Sequence, residues 1–562
     1  MHAEPRPADR GQPRAAALAA AALLLFAAAL GTRLAAAGRE GPDRRPRPDA
    51  LEYAEVAAAL ARGDGFVYPL EGAAMPPRYP PGAPLALAPA TVVRGGRDAW
   101  IAAAVWSALA VVLCAVLGGL AAGRLGAAVA AAVAITSPLS VAYGGLAMSE
   151  GPVQALVAVA LICAALARWR RPPGAGPNVC WLAAGGVAVA WLALTRLPLA
   201  AWILPLCVAA FVPWPRTNTL RALLTRGSFV LGPLVLALTA LGALQAHLFG
   251  DPKSTGYHFW APEVYVDNSA LVLSTRWLTE VLPGYWELPH LEAYGRGMLG
   301  LGRDAFGGPL WSFPCAVLAA IGLCLAVVGA RRCPVHRALS SGALAALTLL
   351  AFHLVYAWQD LRFLAPLLPI VAAFAAIATV RACAGLLGRG LPRPLASAIP
   401  AVLIATVVLR PAQFVAERIV SRWDEPPSAT AALAALANHL PKGALLIVDV
   451  PAPLAREAFG DRELLFADLD SADPHLVRTR LFKLAGLDGT LPTALALASL
   501  GAVENAGLER IRTAIEAGQP VFALETLGEG ARGAGFDALK AAGAQWIPTE
   551  HVGLLRLSPG GR

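Results

Sequence analysis

Charge is what this sequence has least of. Only 15% of its 562 residues are Asp, Glu, Lys or Arg, 57% are hydrophobic, and the mean hydropathy is +0.58. Soluble proteins carry about a quarter charged residues. The deficit recurs in apolar runs of about 20 residues, which excludes one large soluble domain and predicts a multi-pass membrane protein. The eight cysteines all lie in or beside those runs, none in the long polar loops. No CxxC spacing occurs, so neither a thiolate zinc site nor a disulfide framework is indicated. No strand-like run is followed by a glycine-rich phosphate loop, which leaves no nucleotide site to assign. The net charge of +9 does not argue for nucleic acid. The arginines sit mostly between apolar runs, where they read as topology signals facing anionic lipid.

What is present is a series of alanine-rich apolar segments. About eleven spans are expected, near 14–36, 99–121, 124–142, 151–168, 179–195, 199–214, 228–248, 309–330, 338–357, 363–381 and 395–410. The first has the place of a signal peptide, but its length and the spans behind it favour a retained anchor. Loop charge sets the orientation. Short loops on one side carry Arg124, Arg168, Arg170, Arg171, Arg331, Arg332 and Arg337, among others; those on the other side carry only Arg196 and Arg362. The arginine-rich side is read as cytoplasmic, together with an N-terminal tail of residues 1–13. Residues 38–98, residues 249–308 and everything after about 411 then fall outside.

Within the first outer segment, residues 50–62 have helical spacing closed by Gly63 and Gly65. Residues 76–84 (PPRYPPGAP) are too rich in proline for a helix. A second short interfacial helix follows before residue 94. Residues 14–410 form the expected membrane domain. Residues 411–562 read as a separate extracytoplasmic α/β domain. Its strand-like runs at 444–450, 463–469, 520–526 and 552–558 alternate with helical stretches near 428–440, 473–484, 504–517 and 535–543, which suggests a small, mostly parallel sheet. Asp449, Asp468 and Asp470 lie at its strand ends and are read as solvated loop acids.

Few polar residues carry a chemical signal. Asp49 is either a solvated acid beside Arg44, Arg45 and Arg47 or a base at the membrane surface. Glu150 follows Ser149 at the start of a span. It reads equally as an acid in a capped first turn or as a functional group near membrane depth. Arg78, Arg196 and Arg362 stand at outer span ends, where an arginine either holds a phosphate bidentately or snorkels to the interface. The 249–308 loop is rich in aromatics, including Tyr257, Trp260, Tyr265, Trp277, Trp286 and Tyr294, which suit a membrane interface first and a sugar second. Its His258 and His290 have no metal-ligand spacing.

Four stretches resemble the GT-C glycosyltransferases, in particular the aminoarabinose transferase, protein-mannosyltransferase and RgtA/B/C/D-like branch. They are PDALEYAEVAAALARGDGF (48–66), RYPPGAPLALAP (78–89), SPLSVAYGGLAMSEGPVQAL (137–156) and DLRFLAPLLPIVAAFAA (360–376). The resemblance covers roughly residues 14–410. It implies a polytopic α-helical membrane fold and transfer of a sugar from a polyprenyl-phosphate carrier to a lipid, polysaccharide or protein acceptor at the plasma (inner) membrane. By it, Asp49 is the catalytic base of an inverting reaction, and Glu150 is a second acid facing the same cavity. Glu52, Tyr53, Arg78, Tyr79, Arg196 and Arg362 contact the donor, and Arg362 is the first choice for its phosphate. Many relatives have Asp-Glu where this chain has Asp49-Ala50; Glu52 supplies the second acid or none is needed. No cofactor is assigned, and a divalent cation at Glu150 is left open. A transporter or flippase, or a catalytically degenerate envelope-assembly protein, stands as the alternative.

Overall fold

Runs of Ala, Leu and Val without charge form helices wherever proline and glycine allow, and those two residues set most of the boundaries. In the computed structural model, the described residues are 15–37, 48–70, 73–92, 98–169, 176–212, 220–260, 265–266, 269–281, 287–302, 309–388 and 393–424. Towards the C-terminus they are 436, 438–441, 443–448, 463–466, 513–514, 516–524, 545–548 and 554–558. Helix α1 (Ala15–Ala37) is followed by α2 (Pro48–Arg62), the hairpin of β1 (Tyr68–Leu70) and β2 (Ala73–Met75), and α3 (Gly82–Thr91). Then come α4 (Ala99–Ile135), α5 (Pro138–Gly144), α6 (Glu150–Leu166), α7 (Val179–Thr195), α8 (Leu204–Phe211) and α9 (Leu220–Phe249). Short helices α10 (Gly256–Trp260), α11 (Ser269–Val272) and α12 (His290–Met298) precede the long α13 (Phe313–Gly329), α14 (Pro334–Val355), α15 (Leu368–Gly388) and α16 (Arg393–Asp424). Two 3-10 segments, Leu197–Ile203 and Leu361–Leu367, lead into α8 and α15.

Among the described residues, six helical stretches are long and apolar enough to cross a membrane, and four further apolar helices are shorter. Their outward faces carry Leu and Val in the open, such as Leu236, Val328 and Leu347. Water does not tolerate patches of that extent, whereas a bilayer solvates them. The chain is a multi-pass membrane protein. α4 is a helical hairpin: it reverses at Ala122 and Gly123, where Gly123 takes φ +73°. Only glycine adopts that backbone without penalty. Its two arms close on each other so tightly that a Cβ on Gly118 would meet Ala130 Cβ and Gly126 O at 2.5 Å. α15 packs against α4 and α13, and all of Leu368–Thr379 is buried. An apolar circumference of that kind marks the central helix of a bundle.

The first span is not charge-free inside the bundle. Arg33 of α1 is fully buried. Its Nε donates to Ser107 Oγ (3.1 Å), its Nη1 to Thr32 Oγ1 (3.0 Å) and Ile135 O (3.3 Å), and its Nη2 to Ala134 O (3.3 Å) and Ser140 Oγ (3.4 Å). All these acceptors are neutral. The guanidinium stitches α1 to both arms of α4 and to α5, so α1 is an integral member of the bundle.

Two local expectations change. α3 begins at Gly82, inside the proline run, because prolines are tolerated in a first helical turn. The C-terminal sheet is mixed rather than mostly parallel. Its order is β4 (Glu463–Phe466), β3 (Leu445–Val448), β5 (Val521–Leu524), β7 (Leu554–Ser558), β6 (Gln545–Pro548). β3 pairs in parallel with β4 and β5, while β7 is antiparallel to β5 and β6. β6 carries a Trp-Ile pair too short to stand out as a strand. The expected helices near 473–484 and 535–543, and Asp449, Asp468 and Asp470, lie outside the described residues.

Candidate active site

α2 starts at Pro48, and Asp49 falls in its first turn, where a carboxylate suits the helix dipole. Glu52 and Tyr53 follow at i+3 and i+4 and share its face. Asp49 is 3% exposed, which excludes a solvated loop acid. Its Oδ1 accepts from Tyr79 Oη at 2.8 Å, and its Oδ2 accepts from Arg362 Nη2, a residue 313 positions along the chain. Arg362 stands in the 3-10 turn before α15, 6% exposed. Its Nε meets Asp360 Oδ2 at 3.0 Å. That contact is an ion pair without hydrogen-bond alignment, and Nε and Nη1 are both buried with no hydrogen-bond partner among the described residues.

The other predicted residues gather around this pair. Glu52, also buried, turns onto the proline-rich segment. Its Oε1 accepts from the backbone N–H of Arg78 (2.6 Å) and of Tyr79 (3.3 Å), and its Oε2 lies 3.6 Å from Arg78 Nη1. A segment with few amide donors and no helix is thereby fixed by one carboxylate. Tyr53 packs on Tyr79 with ring centroids 4.8 Å apart. Arg196, in the break between α7 and the next 3-10 turn, donates through Nη2 to Glu150 Oε1 (2.6 Å) and Ser149 Oγ (2.7 Å). Ser149 therefore serves Arg196 and makes no side-chain cap to α6. Glu150 is buried, and its Oε2 has no partner among the described residues.

These groups border a cavity of about 1510 Å³. Asp49, Tyr53, Arg78, Tyr79, Arg196 and Arg362 line it; Glu150 and Glu52 do not, and stand one side chain behind Arg196 and Arg78. The expectation that Glu150 faces the cavity is corrected accordingly. One wall is apolar, formed by Leu238, Leu241, Leu244 and Leu248 of α9. Another is aromatic. Tyr79 meets Tyr257 edge-on (5.6 Å), Tyr257 lies on Tyr265 (4.9 Å), and Tyr265 Oη is 2.9 Å from Tyr356 Oη and accepts from Trp358 Nε1 (2.8 Å). Tyr257 and Tyr265 are thus cavity residues rather than interface anchors, and Trp277 and Tyr294 are buried. Strand-like pairing of Leu273 with Tyr356 ties the loop to the end of α14.

Electrostatics separate donors from acceptors in this cavity. Burial, and then the charge of Asp49, holds the Tyr79 phenol well above its ordinary range. Burial also raises Tyr53, amid Arg196, Asp49, Glu150 and Arg362. Both phenols stay protonated and act as hydrogen-bond donors. The proton acceptors left on the wall near Tyr79 are carboxylates. Three buried acids each face a guanidinium: Asp49 that of Arg362, Glu52 that of Arg78, Glu150 that of Arg196. Among the described residues no three His, Cys, Asp or Glu side chains converge on a point that fits a metal ion. His258 Nδ1 faces Thr255, and His290 Nδ1 faces Trp277 O. Trp260, Tyr285, Trp286 and Glu263 have no described side chain.

Sequence reasoning overlooked Asp360, Tyr356, Trp358 and Phe363. The last carries Arg196 Cζ 5.4 Å and the His353 ring 4.5 Å from its centroid. Asp360 was visible as the first letter of DLRF, two residues ahead of the arginine it holds.

The turn leading into the central helix and the first outer helix thus bring an arginine and a carboxylate to one cavity beside the apolar bundle. No protein-family model matches the chain, and no curated protein matches it by sequence. Among solved structures, ArnT from Cupriavidus metallidurans in the apo state superposes with a TM-score of 0.56 at 13% identity, covering 97% of this chain and 100% of that one. The same protein bound to undecaprenyl phosphate gives 0.57 at 14% identity, covering 97% and 99%. The chain shares the fold of these structures over nearly its whole length, in line with the resemblance its four sequence stretches carry.

Proposed function

We propose that the protein is a membrane glycosyltransferase that moves a sugar from a polyprenyl-phosphate carrier to an acceptor outside the cytoplasm, with inversion and with Asp49 as general base. The observation that carries this reading is the Asp49–Arg362 pair on the wall of a cavity that also has an apolar side. An acceptor hydroxyl is a weak nucleophile, and a carboxylate that takes its proton during attack assists it. Its oxygen forms the new bond to the anomeric carbon, the carbon–oxygen bond to phosphate breaks, and the electron pair leaves with the phosphate. That leaving group gains negative charge, and guanidinium groups suit it bidentately. Arg362, Arg196 and Arg78 supply the charge, Tyr53 and Tyr79 donate hydrogen bonds, and α9 offers an apolar path for a prenyl chain. Undecaprenyl phosphate, bound in the ArnT structure, is a carrier of this chemistry.

The same reading places the arginine-rich loops in the cytoplasm, the cavity and residues 411–562 outside, and eleven crossings between them, with α4 counted as two. Glu52 and Glu150 act through the arginines they hold.

The test is the protein in lipid nanodiscs with a panel of polyprenyl-phosphate sugars. At least one donor should be converted to free polyprenyl phosphate in step with sugar appearing on an acceptor. If no donor is consumed and undecaprenyl phosphate does not bind, the reading fails.

The geometry also has a tight point. α10 crosses the Arg78–Tyr79 segment so closely that a Cβ on Gly256 would overlap Pro77 O and Arg78 Cα. That backbone cannot retreat, because Glu52 holds its amides. Overpacking costs about 1–3 kcal/mol, and here the displacement reaches Tyr79 and its bond to Asp49. Gly256→Ala should yield folded protein with kcat/KM at least tenfold lower by steady-state transfer assay.

A further inference from the structure

Arg362 is held at three points, and only one of them is Asp49. Asp360 spends both its oxygens on residue 362: Oδ1 accepts the Arg362 backbone N–H at 3.0 Å, and Oδ2 meets Arg362 Nε at 3.0 Å. The backbone N–H of Asp360 in turn lies 3.3 Å from Tyr294 Oη, and its carbonyl accepts from that hydroxyl at 3.5 Å, so the carboxylate is mounted on a fixed support. Tyr294 is itself buried. The result is a guanidinium whose Nε side lies in ion-pair contact with Asp360, whose Nη2 is on Asp49, and whose Nη1 has no hydrogen-bond partner among the described residues although the side chain borders the cavity; Nε too has the Asp360 charge beside it without an aligned hydrogen bond.

From this geometry, and resting on the glycosyltransferase reading above, we infer that Asp360 is a positioning residue that fixes Arg362 so that its free Nη1 edge meets the donor phosphate while the arginine also holds the base. The charge changes of the reaction explain the need for it. A sugar–phosphodiester donor carries one negative charge, and its phosphate leaves with a second. Asp49, by accepting the acceptor's proton, loses its own. Negative charge therefore moves from the Nη2 side of the guanidinium to the Nη1 side during one step. An arginine tied to Asp49 alone would lose its anchor as that carboxylate is neutralised. The Asp360 carboxylate takes no part in the bond changes and stays on Nε throughout. A buried guanidinium fixed before the reaction stabilises developing charge without having to reorganise. A helix cap needs only Oδ1; the second oxygen, on Nε, is what a cap does not explain.

The experiment compares wild type with Asp360→Asn and Asp360→Glu in nanodiscs, reading the KM of donor and of acceptor separately, kcat, and the Kd of undecaprenyl phosphate by titration. Asp360→Asn keeps an oxygen for the Arg362 amide but places an N–H against Nε. It should raise donor KM and the Kd of undecaprenyl phosphate about tenfold, with acceptor KM unchanged, and Asp360→Glu should restore part of both. A purely structural role would lower kcat through loss of active protein and leave both KM values alone. That pattern, or a Kd for undecaprenyl phosphate within twofold of wild type in Asp360→Asn, overturns the inference. A wild type that neither transfers sugar nor binds undecaprenyl phosphate overturns the parent reading instead.

Discussion

Asp49→Asn should reduce transfer by roughly 10²- to 10⁴-fold, the range spanned by a single general base, while the protein inserts and folds as before. The substitution is nearly isosteric. Its amide oxygen can still accept from Tyr79 Oη, now 2.8 Å from Oδ1. What it loses is the ability to take a proton and the charge opposite Arg362. The two losses can be told apart. An arginine relieved of one anion has more affinity for another, so undecaprenyl phosphate should bind Asp49→Asn at least as well as wild type. Intact or tighter binding with transfer lost identifies Asp49 as the base. Transfer that survives in Asp49→Asn removes it from that role, and weakened binding would mean that Asp49 acts chiefly by holding the arginine.

How much of this was readable beforehand depends on the range of the interactions. The apolar helices were legible because each is a local run, and even the reversal of α4 fell between two predicted spans, at Ala122 and Gly123. Where proline interrupts a run, the reading merged what the fold divides: Pro138 opens α5 after the second arm of α4, and Pro198 sits in a 3-10 turn ahead of α8. Asp49 and Arg362 could be singled out one by one, but only the resemblance brought them to one site, since nothing in either neighbourhood reveals a partner 313 residues away. Arg196 read as a phosphate holder or a snorkelling residue, with no sign of its ion pair, because its acid, Glu150, lies across a helix hairpin on α6. Tyr257 and Tyr265 were ascribed to the interface for the same reason: an aromatic in a loop next to a span is ambiguous until Tyr79 and Tyr356 are brought beside it. Arg33 was overlooked because its partners are hydroxyls and carbonyls, which leave no charge pattern in a sequence.

Arg362→Lys should lower kcat/KM for the donor by a hundredfold or more. Lysine keeps the positive charge but offers one compact ammonium in place of a planar fork. It cannot reach Asp49, Asp360 and a phosphate oxygen from one fixed plane. Arg362→Ala is less informative. It strips the counter-charge from two carboxylates, one of them buried, and breaking a buried pair costs about 3–5 kcal/mol, so lost activity there would mix with lost fold. The decisive measurement is the cycle that joins Arg362→Lys to Asp49→Asn. Side chains in direct contact do not lose function additively. Once Asn stands at 49, the arginine no longer bridges base and phosphate, and replacing it should cost less than it does in wild type. The double variant should therefore fall short of the product of the single losses by at least tenfold. Strict multiplication of the two effects would show that base and arginine work independently, and the bridging of Asp49 and the donor phosphate by one guanidinium would have to be abandoned.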